Sequence, residues 1–163
     1  MTKTITITEL SAPKAADTAQ SVLFDHFCEL MTRLFLAFEE EEWSQDAGWD
    51  IAFGQTASDA DAAWKLVAIQ AETVTALQPL SANDLLLHRI AGLVRQAVTA
   101  TNVHALEVIR TRAMHCIAHA PMQLARAVHD LVEEALASID QMIEHACACD
   151  GDALSARALP LAA

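Results

Sequence analysis

The chain has no tyrosine, only 4 glycines and 4 prolines, and 10 lysines and arginines against 22 aspartates and glutamates. Each shortage excludes something. Too few glycines and prolines are present for an all-β fold, whose many short strands need Gly-rich reversals and β-branched runs. With a formal net charge of −12, sheathing the surface on a phosphate backbone is electrostatically unfavourable, so nucleic acid is not expected as a partner. The same repulsion argues against anionic membranes. No apolar run approaches the roughly 18–20 residues of a membrane span. The N-terminal "MTKTITITEL" alternates threonine and isoleucine, unlike the continuous apolar core of a signal peptide. The four cysteines, Cys28, Cys116, Cys147 and Cys149, lack disulfide-framework spacing, which points to reduced thiols and a cytoplasmic location. Nucleophile-elbow, P-loop and Gly-rich nucleotide motifs are also missing, so no cofactor is expected.

What is present is apolar and helical. Hydrophobic residues make up 53% of 163, enough for one domain with a substantial core. Residues 1–16 read as an N-terminal arm, 17–150 as the bundle domain and 151–163 as a C-terminal tail. From about Asp17, Leu23, Phe24, Phe27, Cys28, Leu30, Met31, Leu34, Phe35 and Phe38 fall on one broad face at about 100° per residue. Glu29 and Arg33 oppose it as an i,i+4 pair. The run "EEEEW" ends this helix with repelling carboxylates set against the helix dipole, so a frayed, solvated end is expected, with a cation site as the alternative. Residues 44–57 lose the helical period yet carry Trp49, Ile51 and Phe53. With Trp43 beside them, they form an aromatic loop, a candidate lid, ligand contact or partner interface.

A second helix is expected from Ser58 to Pro79, striped by Ala63, Trp64, Val67, Ala71, Val74 and Leu77. A third opens with Ser81 as cap and Asp84 at the capping-box position, burying Leu86, Ile90, Leu93, Val94, Ala97 and Val98. The next stripe, Ala105, Leu106, Ile109, Ala113, Cys116 and Ile117, is displaced by about 100° on a continuous wheel, so Thr99 to Asn102 marks a bend or turn. Pro121 is placed in the first turn of the last helix, whose stripe of Leu124, Val128, Leu131, Ala135, Ile139, Met142 and Ala146 has near-heptad spacing. Gly151 is the expected stop. Together these give an all-α, up-and-down bundle of four to five amphipathic helices, with the aromatic loop between the first two.

Three clusters could carry chemistry. On the helical wheel His88 lies roughly 150° from the centre of its helix's stripe, with Gly92 one turn on and Arg95 on the same side. The stretch "HRIAG" resembles the motif of histidine phosphotransfer domains, helical bundles that relay phosphate between receiver domains. The resemblance implies His88 as phosphoacceptor, with Gly92 giving access. It covers five residues, places Ala91 where the family usually has lysine, and lacks the later small residue. Second, His115 and His119 are spaced i,i+4 and could chelate one metal ion, although Arg112 beside them opposes a cation and His104 is about 16 Å away by helix rise. The His-Glu-x-x-His and paired Glu-x-x-His patterns are both missing. Third, a Cys-x-Cys in "HACACDGD" throws its sulfurs about 200° apart if the helix continues, so it chelates only past a helix end.

The reading that follows is a non-enzymatic, acidic interaction or regulatory module without a cofactor. The wide apolar face of the first helix and the near-heptad last helix suggest a homodimer. The rivals are phosphoryl relay through His88, or a small-molecule or metal-binding bundle using the aromatic loop or the His115–His119 pair.

Overall fold

The computed structural model describes residues 21–46, 54–121 and 123–157. Five helices pack side by side: α1 (Val22–Asp46), α2 (Gly54–Ala76), α3 (Ala82–Val98), α4 (Val103–Ala118) and α5 (Arg126–Arg157). No strand occurs among the described residues. Cross-helix bonds fix the directions. Ser21 meets Asp84 while His26 meets Gln70, and Glu72 meets Arg95 while Thr75 meets His88. Arg112 reaches Gln96, and Arg110 reaches Asp140. Successive helices therefore alternate in direction, as the short connections require. No helix among the described residues is long and apolar enough to cross a membrane.

Helix α1 forms where the 3.6-residue stripe predicts it. Ser21 starts it by accepting a bond from the Phe24 N–H at 3.1 Å, and Arg33 pairs with Glu29 at 2.9 Å. Leu23, Phe27, Leu30, Met31, Leu34 and Phe38 are buried, but Phe35 is 61% exposed and leaves the expected face. α2 contributes Val67, Ala71 and Val74. α3, with Leu86, Leu87, Ile90, Ala91, Leu93, Val94 and Ala97 all buried, occupies the centre. It touches every other helix, and a helix so placed must be apolar around much of its circumference.

Several boundaries differ from the sequence expectations. α1 continues through the four glutamates to Asp46. The antiparallel α2 sets its N-terminal half beside this acidic end, offsetting the unfavourable dipole. α2 begins at Gly54 rather than Ser58, so the expected loop of 44–57 shrinks, and Trp49, Ile51 and Phe53 lie outside the described residues. The N-terminal arm and the last six residues of the tail lie outside them as well. The break at 99–102 is a turn, with Asn102 capping α4 through the Ala105 N–H at 2.8 Å. Pro121 belongs to the connection before α5, which starts at Arg126. Leu124 and Ala125 pack on the core from that connection, which is why their apolar pattern resembled a helix start. α5 also passes through Gly151, ending at Arg157. A helical glycine costs about 1 kcal/mol without terminating the helix.

A difference in helix length shapes one end of the bundle. The Ser21–Asp84 contact sets the starts of α1 and α3 level, but α1 has 25 residues and α3 has 17. At 1.5 Å per residue, α1 overshoots α3 by about 12 Å. α2 and α5 flank the same end, so the α3–α4 turn becomes the floor of a recess.

Candidate functional site

That recess is a cleft of about 250 Å³. Its floor comes from Ala97, Ala100 and Leu106, and its walls from Phe38, Trp64 and Met142. Phe38 and Trp64 meet edge to face, with ring centroids 5.1 Å apart, and Phe38 meets the His145 ring at 5.8 Å. Such edge contacts hold the rings rigid and leave apolar surface toward the cleft.

Two polar groups converge on these walls. Glu41 Oε2 accepts the Trp64 Nε1–H at 3.0 Å. His145 Nδ1 lies 3.9 Å from the same oxygen, too far for a direct hydrogen bond. That nitrogen is closed off from solvent and has no hydrogen-bond partner among the described residues. Buried polar atoms are nearly always paired, so this nitrogen is an exception left unsatisfied behind the wall of the cleft. Among the described residues, no lysine or arginine lines the cleft.

Sequence reasoning had Trp64 and Met142 as stripe residues but missed the site. Glu41 carried a readable signal. It lies seven residues after Leu34 and three after Phe38, in line with α1's apolar stripe, but the surrounding glutamates hid it as one more solvated carboxylate. His145, three residues after Met142, sits at the edge of α5's stripe in the same way.

The expected site residues that the structure describes lie elsewhere. His88 does not stand free on the wet face. It is half-buried, and its Nε2–H donates to the Thr75 carbonyl at 3.0 Å, since a carbonyl only accepts. It shares a second cleft, of about 390 Å³, with Arg89, Gly92 and Arg112. Arg95 is drawn instead to Glu72 on α2, at 3.5 Å. The phosphotransfer resemblance needed an accessible imidazole, and one of its two nitrogens is engaged here.

Gly92 is not forced by packing, because an added Cβ would meet Thr75 Cγ2 at an ordinary 3.8 Å. Gly92→Ala is therefore expected to stabilise the bundle by about 0.5–1 kcal/mol through helix propensity. Thermal denaturation should show a Tm rise of a few degrees. A fall would mean that α2 and α3 lie closer than the structure places them.

His115 and His119 are both exposed, and their rings lie tilted by 40° to each other with centroids 4.0 Å apart. His119 Nδ1–H donates to the His115 carbonyl at 2.9 Å, closing the end of α4 and leaving Nε2 as that ring's outward nitrogen. Arg112 bonds Gln96 Oε1 at 2.9 Å rather than flanking the pair. Among the described residues, one group of three potential metal ligands falls within reach of a single point: His129, Asp130 and Glu133, all exposed. These are ordinary surface partners, with His129 near Glu133 at 3.6 Å and Arg126 near Asp130 at 3.9 Å.

Trp43, on the last turns of α1, is 71% exposed. Cys147 is exposed on α5, which continues past it to Arg157, while the side chain of Cys149 lies outside those described. Burial, followed by the carboxylates of Asp25 and Glu134, pushes the Cys28 thiol up, so it is a poor nucleophile in its partly buried position.

No protein-family model, curated protein or solved structure matches the chain.

Proposed function

We propose that this protein is a ligand-binding helical bundle that takes a small, partly apolar molecule into the cleft over the α3–α4 turn. The single observation that carries this reading is the coincidence of an aromatic-walled cleft with the Glu41 carboxylate, held by the Trp64 indole N–H, in its wall. Binding pockets in general join apolar walls to a few convergent polar groups, and this cleft has both. The free thiols at Cys28, Cys116 and Cys147 suit a reducing compartment such as the cytoplasm.

The test is a titration with 1-hexanol, followed by NMR at the Trp64 indole N–H and the Met142 methyl. Saturable shifts at both are expected. They should vanish in Ala146→Phe, which fills the cleft from its half-buried rim, while Tm stays within a few degrees. Shifts that never saturate, or that survive Ala146→Phe, would remove the cleft as a binding site.

A second reading, an interaction module or homodimer, is favoured by apolar side chains left on the outer surface of the first two helices. Leu36 on α1 is 50% exposed, and Leu66 and Ile69 on α2 are 47% and 58% exposed. Large exposed apolar groups mark contact surfaces where they form a contiguous patch. Native mass spectrometry separates the two readings. A monomer carrying a small adduct supports ligand binding. A dimer that dissociates in Ile69→Glu supports the interface.

A further inference from the structure

We propose that the second cleft, between α2, α3 and α4, is a separate site for a small organic dianion, a phosphate ester or a dicarboxylate, held by the guanidinium groups of Arg89 and Arg112. It shares no lining residue with the cleft over the α3–α4 turn, so it stands or falls independently of the ligand-binding reading given above.

The pairing of the arginines selects the cleft. Acidic residues outnumber basic ones by 22 to 10 in this chain, so a surface arginine readily finds a carboxylate. Arg33 pairs with Glu29, Arg95 with Glu72, Arg110 with Asp140 and Arg126 with Asp130. Arg89 and Arg112 have no such partner among the described residues, and both line this one cleft. Among the described residues no aspartate or glutamate lines it with them. Two like charges sharing a cleft repel each other, and a dianion between them turns that repulsion into two attractions. A cleft lined by one sign of charge also focuses the field on whatever enters it. The chain's net charge of −12 opposes an anion at long range. Charges more than about 8 Å away are largely screened at physiological ionic strength, however, so the two guanidinium groups decide the sign.

Hydrogen bonding selects an oxyanion. Gln96 Oε1 accepts Arg112 Nη1–H at 2.9 Å, and the Thr75 carbonyl accepts His88 Nε2–H at 3.0 Å. These acceptors of the lining are therefore in use, whereas a guanidinium carries five N–H donors, most of them still available on Arg112 and Arg89. A wall rich in donors suits phosphate or carboxylate oxygens, which a guanidinium grips two at a time. On α3, Arg89, Gly92 and Gln96 share one face at i, i+3 and i+7, and Arg112 is tied to Gln96. The two arginines are thus anchored about two turns apart, roughly 10 Å, with Gly92 between them leaving the floor clear of any side chain. From such anchors the long side chains either converge on one doubly charged phosphate or grip one carboxylate each of a dicarboxylate. A monocarboxylate satisfies one arginine and leaves the other. The cleft, at about 390 Å³, is in the size range of small-molecule sites and has room for a carbon skeleton beside the charges.

The experiment compares glutarate, propyl phosphate and butyrate by isothermal titration calorimetry at pH 7.5, with the full chain and its Arg89→Gln, Arg112→Gln and Arg33→Gln variants. At least one of the two dianions is expected to bind about tenfold or more tightly than butyrate, from the second set of charge-assisted bonds. Arg89→Gln and Arg112→Gln should each remove that preference. Arg33→Gln makes the same change in net charge on α1, and should leave the affinity within about twofold. Arg89 and Arg112 are exposed, so each variant should keep its Tm within about 2 °C, which circular dichroism verifies. A preference for glutarate would assign one carboxylate to each arginine, and a preference for propyl phosphate would place both arginines on one head group. Equal binding of the dianions and butyrate, a preference that survives either cleft variant, or an equal loss in Arg33→Gln overturns the proposal. Failure of both dianions to bind overturns it too, leaving Arg89 and Arg112 as solvated surface charges.

Discussion

Phe27→Ala is expected to lower stability by about 3–5 kcal/mol, the usual cost of removing a buried aromatic side chain. Phe27 is completely buried and belongs to the cluster that α1 forms with Val67, Val74, Leu87 and Ile90. α3 runs through the middle of the bundle, with helices on several sides, so the walls of the vacated space are held from behind and cannot collapse inward. That places the cost toward the upper part of the range, because incomplete relaxation leaves a cavity in addition to the lost transfer free energy. For a chain of this length the Tm should fall by roughly 10–15 °C. Phe35→Ala, on the same helix, supplies the control. Phe35 is 61% exposed, and its removal should change stability by about 0.5 kcal/mol or less. Thermal unfolding followed by circular dichroism measures both. Similar effects at the two positions would mean that α1 is rotated from the face assigned to it.

The contrast between these two phenylalanines shows where sequence reasoning reached and where it stopped. Periodicity identified the helices, because a helix in a bundle buries one stripe, and Leu23, Phe27, Leu30, Leu34 and Phe38 spell that stripe out. The width of the stripe was not legible. Phe35 lies at its edge, and whether an edge residue is covered depends on how closely α5 approaches, which is a tertiary fact. Boundaries failed for local reasons. Gly54, Gln55 and Thr56 add no apolar stripe, so the first turn of α2 left no signal. Leu124 extended the α5 stripe backwards although it sits in a packed connection. The candidate site was the least legible part. Glu41 meets Trp64 across 23 positions of chain and His145 across a still longer interval, and nothing in a single sequence pairs them. What could be read was that a carboxylate continued an apolar stripe, a local conflict of the kind that functional sites produce.

The same separation in sequence hides the other large effect. Asp84→Ala is expected to cost about 3 kcal/mol, since the carboxylate is only 3% exposed and satisfies groups from two distant parts of the chain. Its Oδ1 accepts the Ser21 hydroxyl, which in turn accepts the Phe24 N–H and so starts α1. Its Oδ2 accepts the Leu80 N–H at 3.2 Å, in the turn between α2 and α3. Ser81 caps α3 through the Asp84 N–H at 3.1 Å, the part of this arrangement that the sequence predicted. Removing the side chain strands the Ser21 hydroxyl and the Leu80 amide near the bundle's end. It also deletes a negative charge from the first turn of α3, where the helix dipole favours it.

The pH dependence has a definite sign. Burial alone would raise the Asp84 carboxyl, but the bonds from Ser21, Leu80 and Ser81 outweigh it and hold the group below its usual range. A carboxyl depressed in the folded state contributes stability that is fully present above its unfolded value of about 3.9. That stability is lost as pH falls through the lower folded value. The Tm gap between wild type and Asp84→Ala should therefore be widest near neutrality and narrow at pH 2–3. A double-mutant cycle with Ser21→Ala isolates the link between the two ends of the chain, with a coupling of about 1–2 kcal/mol expected for contacting residues in one hydrogen-bond network. Additive effects, or a gap that is unchanged at low pH, would show that Asp84 acts only as a local helix cap. The start of α1 would then be held by its apolar face alone.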